Sequence, residues 1–257
     1  MSIVEVRELS VRVGAKALVS NVSLDIEPGT WCTVVGPNGA GKTTLVETIA
    51  GLRRISSGSV SISGRSIAQM NERQRARLVS LVPQHPEVPL GMSVKEYVAL
   101  GRTAYHGLIR APSQVDRDVV HSVLARLALE EFEERDVVTL SGGERQRMVL
   151  ARSLAQSTAV IVLDEPITGL DLRHQMSLLE LLKTQVHEGG LTVVATLHDL
   201  TLAGQFADRL VLLDRGAIVL DGMAGDVVRS PELAQCYGMK LRVVDVDGSD
   251  VVVPVRS

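Results

Sequence analysis

The nine residues from Gly36 to Thr44 read GPNGAGKTT, after the apolar run Thr33-Val34-Val35 and before Leu45-Val46. The string has the form G-x-x-x-x-G-K-T, in the context such a loop requires: buried strand, glycine turn, helix start. Its glycines let successive backbone N–H groups converge on one concavity, which holds an anion without a side chain. The helix N-terminus behind it adds partial positive charge. The loop Gly36, Pro37, Asn38, Gly39, Ala40, Gly41 and Thr44 is therefore expected to cradle phosphates. Lys42 can reach the β- and γ-phosphates, and the Thr43 hydroxyl suits magnesium. A chain carrying this loop is expected to bind a nucleoside triphosphate.

Strands and helices alternate around the loop. Residues 3–13 and 22–26 alternate apolar with polar and read as half-buried antiparallel strands, joined near Gly14 and Asn21. Buried strands are expected at Trp31–Val35, Val160–Leu163, Thr192–Thr196 and Arg209–Leu213, with shorter ones about Val60 and over Leu78–Val82. Such alternation implies an α/β fold with a mostly parallel sheet covered on both faces. A mostly helical insertion, roughly 88–139, interrupts it. Its second helix, Val115–Leu129, has Ser113 and Asp116 placed as a capping box and a stripe of Val115, Val119, Val123, Leu124 and Leu127. The segment Lys240–Val253 reads as a hairpin about Asp247-Gly248.

Composition sets bounds on partners. The chain has 257 residues and a net charge of −3, so bulk nucleic-acid binding is not expected. No apolar run is long enough to cross a bilayer, and MSIVEVRELS does not read as a signal peptide. Cys32 and Cys236 lack metal-ligand spacing, and Cys32 reads as a buried thiol. The chain is expected in the cytosol, where it can still work at a membrane through a spanning partner.

Two further strings carry chemistry. The run Val160-Ile161-Val162-Leu163 ends in Asp164-Glu165-Pro166. A strand this apolar projects its terminal carboxylates into the crevice where ligands of open α/β sheets bind. Asp164 suits magnesium, and Glu165 suits orienting or deprotonating an attacking water. In Leu140-Ser141-Gly142-Gly143-Glu144, Ser141 and Glu144 form a capping box, so a helix begins there. Gly142 and Gly143 are poor helix formers and make sense where a ligand must approach the backbone. Gln84 follows a strand, where its amide could ligate magnesium or the attacking water. His198 ends the strand run Thr192–Leu197 and could contact the γ-phosphate and that water. His85, His106, His121, His174 and His187 have no such placement and read as surface residues.

In this order, GPNGAGKTT, Gln84, LSGGERQ, VIVLDEP, Gly169-Leu170-Asp171 and His198 resemble the ATP-binding cassette (ABC) ATPase family. The resemblance covers about residues 2–225. It implies a P-loop NTPase core with an N-terminal antiparallel β subdomain and an inserted helical subdomain, leaving 226–257 as an extension with a hairpin. It further implies ATP and magnesium as ligands and a head-to-tail homodimer. ATP on Lys42 and Thr43 of one chain would be closed by Ser141, Gly142 and Gly143 of the other. By the same resemblance Glu165 is the general base, Asp171 bridges the two sites, and Gln84 couples to a transmembrane permease that docks near His85 and Tyr97. Residues 93–105 (SVKEYVALGRTAY) and the ending SPELAQCYG are similar to importers of iron-siderophore, haem and cobalamin complexes. Those work with a periplasmic or lipoprotein substrate-binding protein, and the ATPase sits at the cytoplasmic face of the cell membrane. Exporter, DNA-repair and translation ATPases share the cassette and are the alternatives.

Two departures stand out. Ile167-Thr168 replaces the commoner Thr-Ser pair. The aromatic residue that usually stacks on adenine is replaced by Val13, and no aromatic side chain except the core residue Trp31 is expected nearby.

Overall fold

In the first strand, β1 (Val4–Val13), the buried residues change phase: Val4 and Val6 lie inside, then Leu9 and Val11. A strand alternates with period two, so an odd step needs an extra residue. Glu8 supplies it at φ 45°, where the pairing register slips, and its amide donates to the Ser23 hydroxyl at 2.9 Å. The partner strand β2 (Lys16–Ile26) starts earlier than the alternation suggested. Asn21 is no turn residue. It is a second bulge at φ 50°, and its amide donates to Ser10 Oγ.

The computed structural model describes residues 2–106 and 111–255. Met1, positions 107–110 of the helical insertion and positions 256–257 of the C-terminal segment lie outside the described residues. After β2 come β3 (Trp31–Val35), α1 (Lys42–Ile49), β4 (Ser57–Ile62), β5 (Arg65–Ser66), α2 (Glu72–Arg75) and β6 (Val79–Val82). The insertion holds α3 (Val94–Ala99), α4 (Thr103–His106) and α5 (Gln114–Arg126). Then follow α6 (Gly142–Ala155), β7 (Val160–Asp164), α7 (Leu172–His187), β8 (Thr192–Thr196), α8 (Leu200–Phe206), β9 (Arg209–Asp214) and β10 (Ala217–Met223). The chain closes with α9 (Ala224–Val228), α10 (Pro231–Tyr237), β11 (Lys240–Val246) and β12 (Ser249–Val255). The boundary expected at 225 falls inside α9, whose Val227 and Val228 are core residues.

Two sheets carry the molecule. The antiparallel one has the order β2-β1-β4-β5, and the larger one β10-β9-β3-β8-β7-β6. Within the larger sheet only β9–β10 is antiparallel. Its central strands β3, β7 and β8 are buried on both faces because α1 and the antiparallel sheet cover one and the helices cover the other, while the edge strand β10 stays partly exposed. In β7, Val160 and Val162 face the first layer while Ile161 and Leu163 face the second. Trp31 and Cys32 divide the same way, and burial raises the Cys32 thiol to about 12, which leaves it inert.

In α5 the stripe differs from the expected one. Val115 is exposed, and the inner face is Val120, Val123, Leu124 and Leu127, the i, i+3, i+4, i+7 set. Asp116 is also buried there, paired with the buried Arg102 at 2.9 Å. The capping box at Ser113 is present as read. The hairpin turns at Asp247 (φ 52°) and Gly248 (φ 81°), as its sequence required.

Candidate active site

The sheet order decides where the chemistry meets. Strands β3, β8, β7 and β6 are neighbours and run parallel, so their C-terminal ends share one edge. The phosphate loop leaves β3, His198 follows β8, Asp164 and Glu165 end β7, and Gln84 follows β6. An open cleft of about 470 Å³ forms there, lined by Asn38, Gly39, Gly41–Thr44, Gln84, Glu165 and His198.

The loop needs glycine at its two ends. Gly36 has φ 147° and an added Cβ would strike the Leu213 carbonyl oxygen; Gly41, φ 103°, would strike that of Leu18. Gly41 is also the left-handed N-cap of α1, which lets the helix amides open into the cleft. Ala40 contributes backbone only; its side chain is buried, its amide donates to Pro37 O at 3.2 Å, and its carbonyl accepts from Gly216. Lys42 is folded back over the loop, with Nζ donating to Gly36 O (2.8 Å) and Pro37 O (3.2 Å). Burial pushes its ammonium below the usual lysine range, against the opposing pull of Glu165 and Asp164.

Asp164 is buried and accepts two hydroxyls on Oδ1: Thr43 at 3.2 Å and Thr196 at 2.7 Å. Thr196 Oγ1 also accepts the Glu165 amide at 2.9 Å. Sequence reading passed over Thr196, although a hydroxyl ending the all-buried strand TVVAT was the available signal. Hard oxygen ligands from Thr43 and Asp164 suit magnesium. Among the described residues no group of three His, Cys, Asp or Glu side chains is placed to hold a metal ion.

Glu165 is only 8% exposed and holds φ 51°, a left-handed conformation rare outside glycine. Its Oε2 accepts from Gln84 Nε2 (2.6 Å) and Thr168 Oγ1 (3.2 Å), and its Oε1 meets His198 Nε2 directly. The carboxylate is thus aimed from three sides. Thr168 was noted only as a departure in sequence, whereas its neighbour Ile167 fills the core.

Ser141, Gly142 and Gly143 do not join this cleft. Ser141 is exposed and caps α6 with Glu144, as read, and an added Cβ at Gly142 would meet open space. Asp171 caps α7 away from the cleft and binds His174 twice, at its amide (2.9 Å) and at Nδ1 (2.8 Å). His174 stays partly exposed, as read, and its ring lies close to Gly143, 3.4 Å from where an added Cβ would stand.

Lys16 and Leu18 of β2 also line the cleft, and Val13, 59% exposed, pairs with Lys16 across the β1–β2 turn. Among the described residues, no aromatic side chain lines this part of the cleft, but one reaches the phosphate loop at its first residue. The Tyr237 hydroxyl accepts the Gly36 amide at 3.1 Å. No local signal reveals it, since the two residues lie at opposite ends of the chain.

Comparison with known proteins supports the same picture. The ABC transporter family profile matches residues 19–168. The haemin import ATP-binding protein HmuV of Gloeobacter violaceus is 39% identical over 97% of this chain and 93% of its own. The ferric enterobactin transport ATP-binding protein FepC of Escherichia coli is 35% identical over 96% and 92%. Among solved structures, a chain of an inward-facing metal-chelate type ABC transporter superposes with TM-score 0.86 at 26% identity, covering 100% of this chain and 98% of that one. The ATP-binding cassette MJ0796, dimeric with ADP and phosphate, gives TM-score 0.77 at 26% identity over 87% and 99%.

Proposed function

The chain belongs to the ABC transporter family, and from that membership we propose that its ATP hydrolysis energises a membrane importer of metal chelates or haem. One observation carries the chemistry: Glu165, held by Gln84, Thr168 and His198, shares a strand edge with Lys42, Thr43 and Asp164. When nucleotide enters, Lys42 exchanges the Gly36 and Pro37 carbonyls for phosphate oxygens. Thr43 and Asp164 would hold magnesium, which would supply charge neutralisation to the phosphates. Glu165 takes the proton of the attacking water, and His198 and Gln84 orient that water against the phosphate.

Ser141, Gly142 and Gly143 complete the site of a second copy. Their exposed, glycine-opened helix start lies outside their own chain's cleft, and an N-terminus of this kind receives phosphate. The cassette is therefore read as a head-to-tail homodimer working at the cytoplasmic face of a membrane beneath a permease and, across it, a substrate-binding protein. The iron-chelate and haem substrates are inferred from the relatives' names. The permease is read onto a groove of about 650 Å³ between α2, β6 and α6, whose rim carries the exposed Leu52 and His85. Tyr97, expected there, is fully buried with its hydroxyl accepting from Arg152.

The test is reconstitution. The chain is co-expressed with its polytopic partner, and cysteines at Leu52 and His85 are crosslinked to that partner's cytoplasmic loops. In proteoliposomes, ferric-siderophore- or haem-loaded binding protein should stimulate ATP hydrolysis and drive uptake. Hydrolysis coupled to outward movement, or crosslinks confined to the C-terminal hairpin, would overturn the reading.

A further inference from the structure

The Gly36 amide sits where β3 leaves the sheet. The last sheet pair between β3 and β9 is Val35 with Leu212. A buried N–H beyond the ladder needs an acceptor, and the chain supplies one from its far end, the Tyr237 hydroxyl. Tyr237 is not a loose side chain. It ends α10, which Ser230 caps, Leu233 anchors at 0% exposure, and Gly238 closes in a left-handed C-cap.

The segment after α10 is tied to α8, the helix that begins just after His198. The Val252 amide donates to Thr201 Oγ1 at 3.0 Å, and that hydroxyl is 3.5 Å from Val252 O. Arg229 pairs with Asp250, which fixes β12 to the end of α9. Thr201 lies in the first turn of α8, whose N-cap, Asp199, directly follows His198. One short stretch thus touches the phosphate loop at Gly36 and the helix behind His198.

We infer that Tyr237 is a positioning residue for the phosphate loop, and that residues 229–255 form a brace holding that loop in register with His198. Gly36 is where this matters. Its carbonyl receives Lys42 Nζ at 2.8 Å, so the residue that Tyr237 fixes is the one Lys42 must leave to reach a phosphate. Without the hydroxyl, the Gly36 amide is left seeking another partner and the loop's concavity loses its fixed end. The inference builds on the ATP-binding reading of the cleft.

The experiment uses the full chain with Tyr237→Phe. The ring stays and only the hydroxyl goes. ATP affinity should fall, and KM rise, by about three- to tenfold, the scale of one lost hydrogen bond. The rate constant kcat should stay within about twofold, because Glu165 and His198 are untouched. Amide-resolved hydrogen exchange without nucleotide should quicken at Gly36 and not at Val34. Thr201→Val, which touches neither Gly36 nor Tyr237, should also quicken Gly36 exchange if the brace is continuous. A wild-type KM and unchanged Gly36 exchange in Tyr237→Phe would overturn the positioning role. Unchanged Gly36 exchange in Thr201→Val would overturn the brace, and this variant still decides if Tyr237→Phe folds poorly. If the unaltered chain bound no ATP, the nucleotide reading would fall instead, while the exchange data would still judge the Tyr237 contact.

Discussion

The His198 imidazole meets the Glu165 carboxylate directly across the ends of β8 and β7, while Gln84 and Thr168 hold the other carboxylate oxygen. The group proposed as general base is thus oriented by three side chains, and its Oε1, with one partner, keeps an acceptor position for an attacking water.

Glu165→Gln should keep ATP binding and lower hydrolysis at least about a hundredfold, the usual worth of a general base. Closure that no longer ends in cleavage should also trap an ATP-bound dimer. Single-turnover assays and size-exclusion with ATP read both effects. Near-normal hydrolysis in the variant would remove Glu165 from the role.

Ser141→Arg should abolish turnover and spare ATP binding to the isolated chain, because Ser141 lies outside its own chain's cleft. Losing the N-cap costs about 1 kcal/mol, so the melting temperature should fall only modestly. Mixing with Lys42→Ala chains should restore at most one intact site per dimer. Loss of ATP affinity in the isolated variant would contradict composite sites.

Val13→Tyr should tighten ATP binding several-fold, since aromatic–base stacking is worth about 1–3 kcal/mol, with the low end expected at an exposed position. Arg12, whose guanidinium donates to the Ala15 carbonyl at 3.2 Å, is the rival platform that the titration has to exclude. The unaltered chain should discriminate weakly between ATP and GTP. Titrating both nucleotides into both proteins tests this, and no gain from tyrosine alongside strong ATP preference would refute it.

Asp116 predicts an acid limb of stability. The Ser113 hydroxyl, then Arg102, hold its carboxyl down to about 2, below its unfolded range. A folded carboxyl that titrates lower adds stability in full above about pH 4, which fades as pH falls toward about 2. Asp116→Asn should flatten that part of the stability–pH curve in urea titrations. Arg102→Met leaves the carboxylate buried without its cation and should cost about 3 kcal/mol at neutral pH. An unchanged urea midpoint would show that the pair is dispensable.

Local strings made much of this legible. The phosphate loop, the capping boxes at Ser113 and Ser141, the buried strand before Asp164 and the Asp247-Gly248 turn each follow from neighbouring residues. Backbone freedom, hydrogen-bonding reach and periodicity are local properties, so a single strand of sequence carries them. Periodicity failed where two stripes overlapped: Val115 lost to Val120 because Asp116 turns inward to Arg102. Asn21 misled because a turn-prone residue also serves as a bulge.

What only tertiary structure decided is which distant ends meet. Sheet order brought Gln84, Glu165 and His198 around one carboxylate, and the same packing set Thr196 against Asp164 and His174 beneath Gly143. Tyr237 is the extreme case. Its string announces a capped helix followed by a left-handed glycine, and nothing in it names Gly36. The contact exists because a buried amide at the end of β3 must find an acceptor, and the fold, not the neighbouring sequence, determines which acceptor lies within reach.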